Sequence, residues 1–223
     1  MNGSTTVMNE VVIPKKAQIE AASGRQLVVV GNGSQRGLAD LIADKANIAM
    51  ISAPLDEEVK KINEKQPGAI DPASLTAHPI GESRVAFVVH PSNPVRFLSN
   101  VSLGGILAGR FTNWKEVGGP DQAIIVVAAQ SGDGVRTTVE GRLLKGGDLT
   151  KDARTLTNAT QIVKVISQLP GGIGLTAAVS LDASVAELKG DAVIAQPLFL
   201  VTKGNVSPDI RRVIEAAAKA GQS

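Results

Sequence analysis

The chain contains no cysteine, which excludes disulfides, thiolate metal sites and cysteine nucleophiles. It leaves the compartment open, because a chain without thiols suits either redox environment. Tyrosine is also absent, Trp114 is the one tryptophan, and aromatic residues make up only 2% of the chain. Sites that stack bases or sugars use more rings than this, so the scarcity favours a small ligand held by hydrogen bonds. No apolar run reaches the roughly 18 residues of a membrane span. Neither charge dominates: 23 basic residues stand against 21 acidic ones, a net +2. No basic face or tail is evident, so nucleic acid is not an expected partner.

Enzyme constellations are equally sparse. The two histidines, His78 and His90, each precede a proline and do not stand at metal-ligand spacing. No Gly-x-Ser-x-Gly, His-Glu-x-x-His or Ser-x-x-Lys pattern occurs. Asp133 could serve as a general base but has no evident nucleophile. The residues therefore read as a non-enzyme with no metal and no cofactor.

What the chain does have is 223 residues, 43% of them hydrophobic, enough for one large domain or two small lobes. Short β-branched runs alternate with helical segments. Strands are expected at 25–31, 47–51, 84–90, 123–129 and 192–202. Helices are expected at 6–22 (with Pro14 kinking or breaking it), 37–44, 56–65 (charged and exposed), 102–109, 135–144, 159–169 and 207–220. Ser207 caps the last, with Pro208 at its first position. This alternation predicts an α/β fold with largely parallel sheets. No linker divides the chain, so two lobes would have to be joined through ordered strands.

Three loops share one pattern, small residues and hydroxyls at the entry to a helix: Gly3-Ser4-Thr5-Thr6, Gly31-Asn32-Gly33-Ser34-Gln35-Arg36-Gly37 and Ser131-Gly132-Asp133-Gly134-Val135-Arg136-Thr137. A helix N-terminus presents unpaired N–H groups and a partial positive charge. Glycine admits a ligand to the backbone, and hydroxyls add donors, so such loops can hold an anion without metal. Taken alone, each loop reads as an ordinary N-cap; the case for a site is that three share the pattern. The glycine spacing matches neither a P-loop nor a dinucleotide fingerprint. Ser52, just after a strand, is either a ligand donor or a turn residue.

At these loops the sequence resembles the phosphate-binding proteins of ABC importers, within the class II periplasmic binding proteins. The likeness covers nearly the whole chain. Gly3-Ser4-Thr5-Thr6-Val7, Gly31–Gly37 and Ile48–Leu55 (IAMISAPL) resemble the family's first three ligand segments. Ile106–Gly119 (ILAGRFTNWKEVGG) is the most specific match. Ser131–Arg136 stands where the family usually has Ser-Gly-Ser-Gly-Thr-Arg, and Leu169–Gly174 (LPGGIG) resembles a strand entry.

The resemblance implies a two-lobe, periplasmic-binding-protein-like (class II) fold, with a mixed, mainly parallel sheet in each lobe and a two-strand hinge. Lobe one would comprise 1–83 and 180–223, and lobe two 84–179. It implies capture of phosphate, or a similar small anion, for delivery to an importer permease. It further implies a monomer working outside the cytoplasm; the opening Met-Asn-Gly-Ser carries no leader, so an export signal would have been removed and Met1 added. The implied ligand residues are Ser4, Thr5, Thr6, Ser34 and Ser52, with Ser131, Gly132, Asp133, Gly134 and Val135 from the second lobe's loop. Arg36 and Arg136 are the available cations.

Three departures bear on the ligand. Asp133 replaces a ligand-binding Ser, Val135 replaces a Thr, and Ala129 stands where some members have an Arg. A carboxylate repels a fully ionised oxyanion but can accept the proton of one that retains it. That favours hydrogen phosphate over sulfate. The same changes leave open an organic carboxylate or a phosphonate as ligand, or an interaction or sensory protein with a degenerate pocket.

Overall fold

The computed structural model describes residues 1–157 and 161–221. The chain divides into two compact units: Met1–Ser83, Gly132–Gly134 and Gln196–Ser223 form the first, and Arg84–Ser131 with Val135–Ala195 the second. Residues 180–195, placed in lobe one by the resemblance, group with the second unit. Strand β8 (Ala186–Leu188) pairs antiparallel with the end of β4 (Leu75–Val89) there, through Phe87, Val88 and Val89.

The first unit's sheet runs β2 (Val30–Gly31), β1 (Asn2–Gly3), β3 (Ala49–Ile51), β9 (Ala195–Lys203) and the first part of β4. Side chains alternate across a strand, so β3 sends Met50 to one face and Ala49 and Ile51 to the other. Likewise β9 splits Leu198 and Leu200 from Val201. One face is covered by the segment Thr5–Val12, α2 (Lys16–Ser23) and α8 (Pro208–Gly221), through Val7, Val12, Ile19, Val213 and Ala217. The other is covered by α3 (Ser34–Ile42) and α4 (Leu55–Lys65), through Leu38, Leu41 and Val59.

Several elements differ from the sequence reading. The helix expected at 6–22 is broken, as Pro14 predicts: a short α1 (Thr5–Val7) and a π-helical turn (Met8–Val12) precede α2. The strand expected at 25–31 forms a ladder only at Val30–Gly31, because its partner β1 is just as short. Leu27 and Val29 still turn into the core while Val28 faces out, so the alternation was real although the ladder was not. Strand β4 begins well before Arg84. Its first part interleaves Thr76, His78 and Glu82 with core residues, and Pro79 is tolerated because this part forms the edge of the first unit's sheet.

The second unit's sheet is likewise mixed. Here β4 pairs antiparallel with β7 (Gly172–Ala177), and β5 (Ile125–Ala129) lies parallel to both β7 and β6 (Arg154–Leu156). Its main core joins Val85, Phe87 and Val89 to Leu103, Ile106 and Leu107 of α5 (Asn100–Leu107) and Val139 of α6 (Gly134–Leu143). A smaller cluster beneath α7 (Ile162–Ile166) takes Val88 and Val127. The start of the helix expected at 159–169 lies outside the described residues.

The most specific sequence motif builds this unit's core. Asn113 and Glu116 form a capping box around the turn Trp114–Val117. That turn buries Trp114 completely, and its Nε1 donates to the Gly171 carbonyl at 3.0 Å. The same oxygen accepts from Ile125 N at 3.0 Å, so the indole ties the turn to the entry of β7. Replacing Trp114 by Phe removes one buried hydrogen bond and part of a ring, and should cost about 1–3 kcal/mol. Urea unfolding followed by circular dichroism measures this, since the variant has no tryptophan fluorescence.

Candidate functional site

Strand β1 is parallel to both β2 and β3, so three consecutive loops leave the same edge of the sheet. These are Ser4-Thr5-Thr6 after β1, Asn32-Gly33-Ser34 after β2, and Ser52 after β3. Ligands of open α/β sheets sit outside such carboxyl ends. The backbone fixes the loops to one another: Ser4 N donates to the Met50 carbonyl at 2.7 Å, and Asn32 N and Gly33 N both donate to the Gly3 carbonyl at 2.9 Å. Asp40 of α3 accepts from Asn2 Nδ2 at 2.7 Å and from Asn32 Nδ2 at 2.9 Å. Those two amide hydrogen bonds hold its carboxyl below the usual range.

The hydroxyls converge. Ser4 caps α1, accepting from Val7 N at 3.3 Å, and its Oγ donates to Ser52 Oγ at 2.8 Å. Ser34, in the first turn of α3, accepts from Ser52 N at 3.3 Å. Ser4, Thr6, Ser34 and Ser52 are all buried, and Thr5 is half-buried. The loop Gly132–Gly134 belongs to this unit. Gln35 N donates to the Gly132 carbonyl at 3.3 Å. A Cβ on Gly134 would stand 2.0 Å from Ser52 Oγ and 2.9 Å from Ser34 Oγ, so only glycine fits against the paired hydroxyls. Asp133 between them is half-buried.

The remaining candidates adjoin these segments in the chain. Arg36 is exposed on α3. Ser131, Val135 and Arg136 belong to the second unit. The Val135 side chain packs into that unit's core. Arg136 Nε donates to Glu140 Oε1 at 2.7 Å and its Nη1 to the Ala129 carbonyl at 3.3 Å, tying α6 to the end of β5.

One residue next to the site escapes the sequence reading. Glu58 lies on α4, which reads as a charged, exposed helix, yet it is fully buried. The signal was its spacing: with Leu55, Val59 and Ile62 it completes an i, i+3, i+4, i+7 stripe on the core face. Neither carboxyl oxygen has a hydrogen-bond partner, and Gln35 Nε2 is buried in the same condition. Desolvation pushes the Glu58 carboxyl from its ordinary 4.5 up to about 8. The nearby Gln35 amide and Lys61 oppose that rise, and the charges of Asp133 and Glu57 reinforce it. The amide favours the charged form a little without making a hydrogen bond to it.

A family model described as a PBP superfamily domain matches residues 2–215. The chain belongs to the PBP superfamily. It is 25% identical over 209 residues to the phosphate-binding protein PstS of Bacillus subtilis (strain 168), across 89% of this chain and 66% of that protein. It thus spans just under two thirds of that relative's length. Among solved structures it is similar to a substrate-binding protein assigned to a phosphate ABC transporter of Clostridium perfringens, determined with bound phosphate. The TM-score is 0.81 at 24% identity, covering 96% of this chain and 90% of that one. An ABC-type phosphate transport receptor from Vibrio cholerae gives a TM-score of 0.72 at 24% identity, covering 98% and 92%. At these identities the structural likeness speaks for the shared α/β fold.

For this PBP superfamily member, the geometry yields two expected outcomes. Gly134→Ala forces a methyl group against Ser52 and Ser34 and should destabilise the protein by about 1–3 kcal/mol, read by thermal or urea unfolding. Glu58 makes stability depend on pH. Its folded carboxyl keeps a proton that the unfolded chain has already lost, so its contribution is complete below about 4.5. It then falls as pH rises toward about 8, and flattens above. Urea midpoints compared between wild type and Glu58→Gln across this window should diverge in that direction, with the variant's curve the flatter.

Proposed function

We propose that this chain is a non-catalytic solute-binding protein that captures inorganic phosphate outside the cytoplasm and delivers it to the permease of an ABC importer. One observation carries the reading: buried Ser4, Ser34 and Ser52 are joined by hydrogen bonds at the carboxyl ends of three strands, with glycine-lined backbone closing over two of them. Hydroxyls and backbone N–H groups at helix starts are the donor set that a tetrahedral oxyanion takes without metal. The likeness to PstS supports the choice of phosphate. No helix among the described residues is long and apolar enough to cross a membrane.

In this reading Ser4, Thr5, Thr6, Ser34 and Ser52 donate to the ion from one lobe, and the loop Ser131–Val135 supplies backbone donors and Asp133. Strands β4 and β9, where the chain passes between the two units, act as the hinge of closure. Asp133 accepts the proton of hydrogen phosphate. Sulfate has no proton to give at neutral pH, so it would meet an uncompensated carboxylate. Arg136, engaged with Glu140, orients the loop by anchoring α6.

Calorimetric titration of phosphate and sulfate into protein that has been unfolded, dialysed free of ligand and refolded tests this. The expected result is micromolar or tighter phosphate binding with little response to sulfate. Asp133→Asn should narrow the phosphate-to-sulfate preference by about ten-fold or more. An unchanged preference would remove Asp133 from the selectivity role.

A further inference from the structure

The loop that closes over Ser34 and Ser52 rests on Gln35 in two ways. Gln35 N donates to the Gly132 carbonyl at 3.3 Å, and a Cβ on Gly132 would stand 2.8 Å from Gln35 Oε1. That Oε1 also accepts from Lys65 Nζ at 3.5 Å. The amide's other end, Nε2, is buried without a partner, as are both oxygens of the fully buried Glu58. An ionised carboxylate left in this state would be prohibitively costly, whereas a carboxylic acid is tolerated. The charged groups acting on Glu58 are Asp133 from the loop, and Glu57 and Lys61 from its own helix. Helix α3 contributes only the neutral Gln35 amide. Two carboxyl groups therefore act on each other through their charges with opposite solvation: Glu58 buried completely and Asp133 half-buried.

We propose that Glu58 is a specificity-determining residue of the anion site. It is a neutral carboxylic acid that, with Gln35, backs the Gly132–Gly134 loop and must keep its proton for the anion to bind. The proposal rests on the phosphate reading above. A neutral Glu58 adds no second negative charge behind the loop that carries Asp133. If Glu58 ionised, a second negative charge would stand behind the loop, repelling both Asp133 and the ligand. Capture is then linked to a proton held by the protein, in addition to the proton carried by phosphate itself. The position of the residue's own titration, near 8, puts the linkage just above neutrality.

The test compares phosphate titrations of wild type and Glu58→Gln between about pH 6 and pH 9, in buffers of different ionisation enthalpy. Phosphate's own titration is common to both proteins and cancels in the comparison. Between about pH 7 and pH 9 wild type should lose about ten-fold more affinity than the variant, and should take up a proton on binding that the variant does not. Parallel affinity profiles would overturn the proposal. If Glu58→Gln does not fold, or if neither protein binds phosphate, the carbon-13 carboxyl resonances of ligand-free wild type decide the matter. Every glutamate titrating in the ordinary range overturns it. One carboxyl that stays protonated to near pH 8 upholds the neutral acid for whichever anion the site takes. Absence of phosphate binding with such a carboxyl present defeats the phosphate reading alone.

Discussion

The first unit depends on the Gly3 carbonyl and its neighbours bringing three loops to one edge. Strands β1, β2 and β3 are only two or three residues long, so their ladders are too short to fix the loops that follow. Further hydrogen bonds complete the task. The Gly3 oxygen takes two backbone N–H groups from the second loop, the Met50 oxygen takes one from the first, and Asp40 accepts both Asn2 and Asn32. Positive φ at Gly33 (96°) lets the chain turn into α3 immediately after that junction.

The hydroxyl cluster was legible where it depends on residue type and spacing. The hydroxyl loops Ser4–Thr6 and Asn32–Ser34, and Ser52, were identifiable because a strand followed by small polar residues and a helix is a local pattern. Their meeting is not local. The Ser4–Ser52 hydrogen bond spans 48 residues, and only the parallel register of β1 with β3 creates it. Glu58 was missed for a different reason. A glutamate in a charged helix reads as solvated, and its place in the Leu55–Val59–Ile62 stripe was outweighed by Asp56, Glu57, Lys60 and Lys61 around it. The stripe was the better guide, because packing decides which helical residues are buried and charge decides only what that burial costs.

The fold was legible to the same extent. Alternating apolar runs and helices gave the α/β class, and the PBP superfamily match accords with it. Boundaries suffered where ladders were short, as at 25–29, or where polar residues and Pro79 interrupted an edge, as at 75–83. The strongest family motif, around Trp114, is not at the hydroxyl cluster. It holds the second unit's core through Trp114, Gly171 and Gly105, whose missing Cβ makes room for Phe111. The likeness at this motif thus reflects packing, while the proposed ligand loop departs from the family pattern at Asp133 and Val135.

That divergence has an electrostatic logic. If the hydroxyl cluster takes an anion as proposed, Asp133 in place of a hydroxyl puts a carboxylate beside it, an unfavourable change unless something nearby removes negative charge or supplies a proton. Arg136 is committed to Glu140 and the Ala129 carbonyl. Arg36 is exposed to solvent, where its charge is screened. In the proposed site, burial would keep Glu58 neutral without a cation beside it, leaving Asp133 as a carboxylate able to accept a proton from the ligand. A site arranged as proposed would select on the protonation state of its anion more than on anion size.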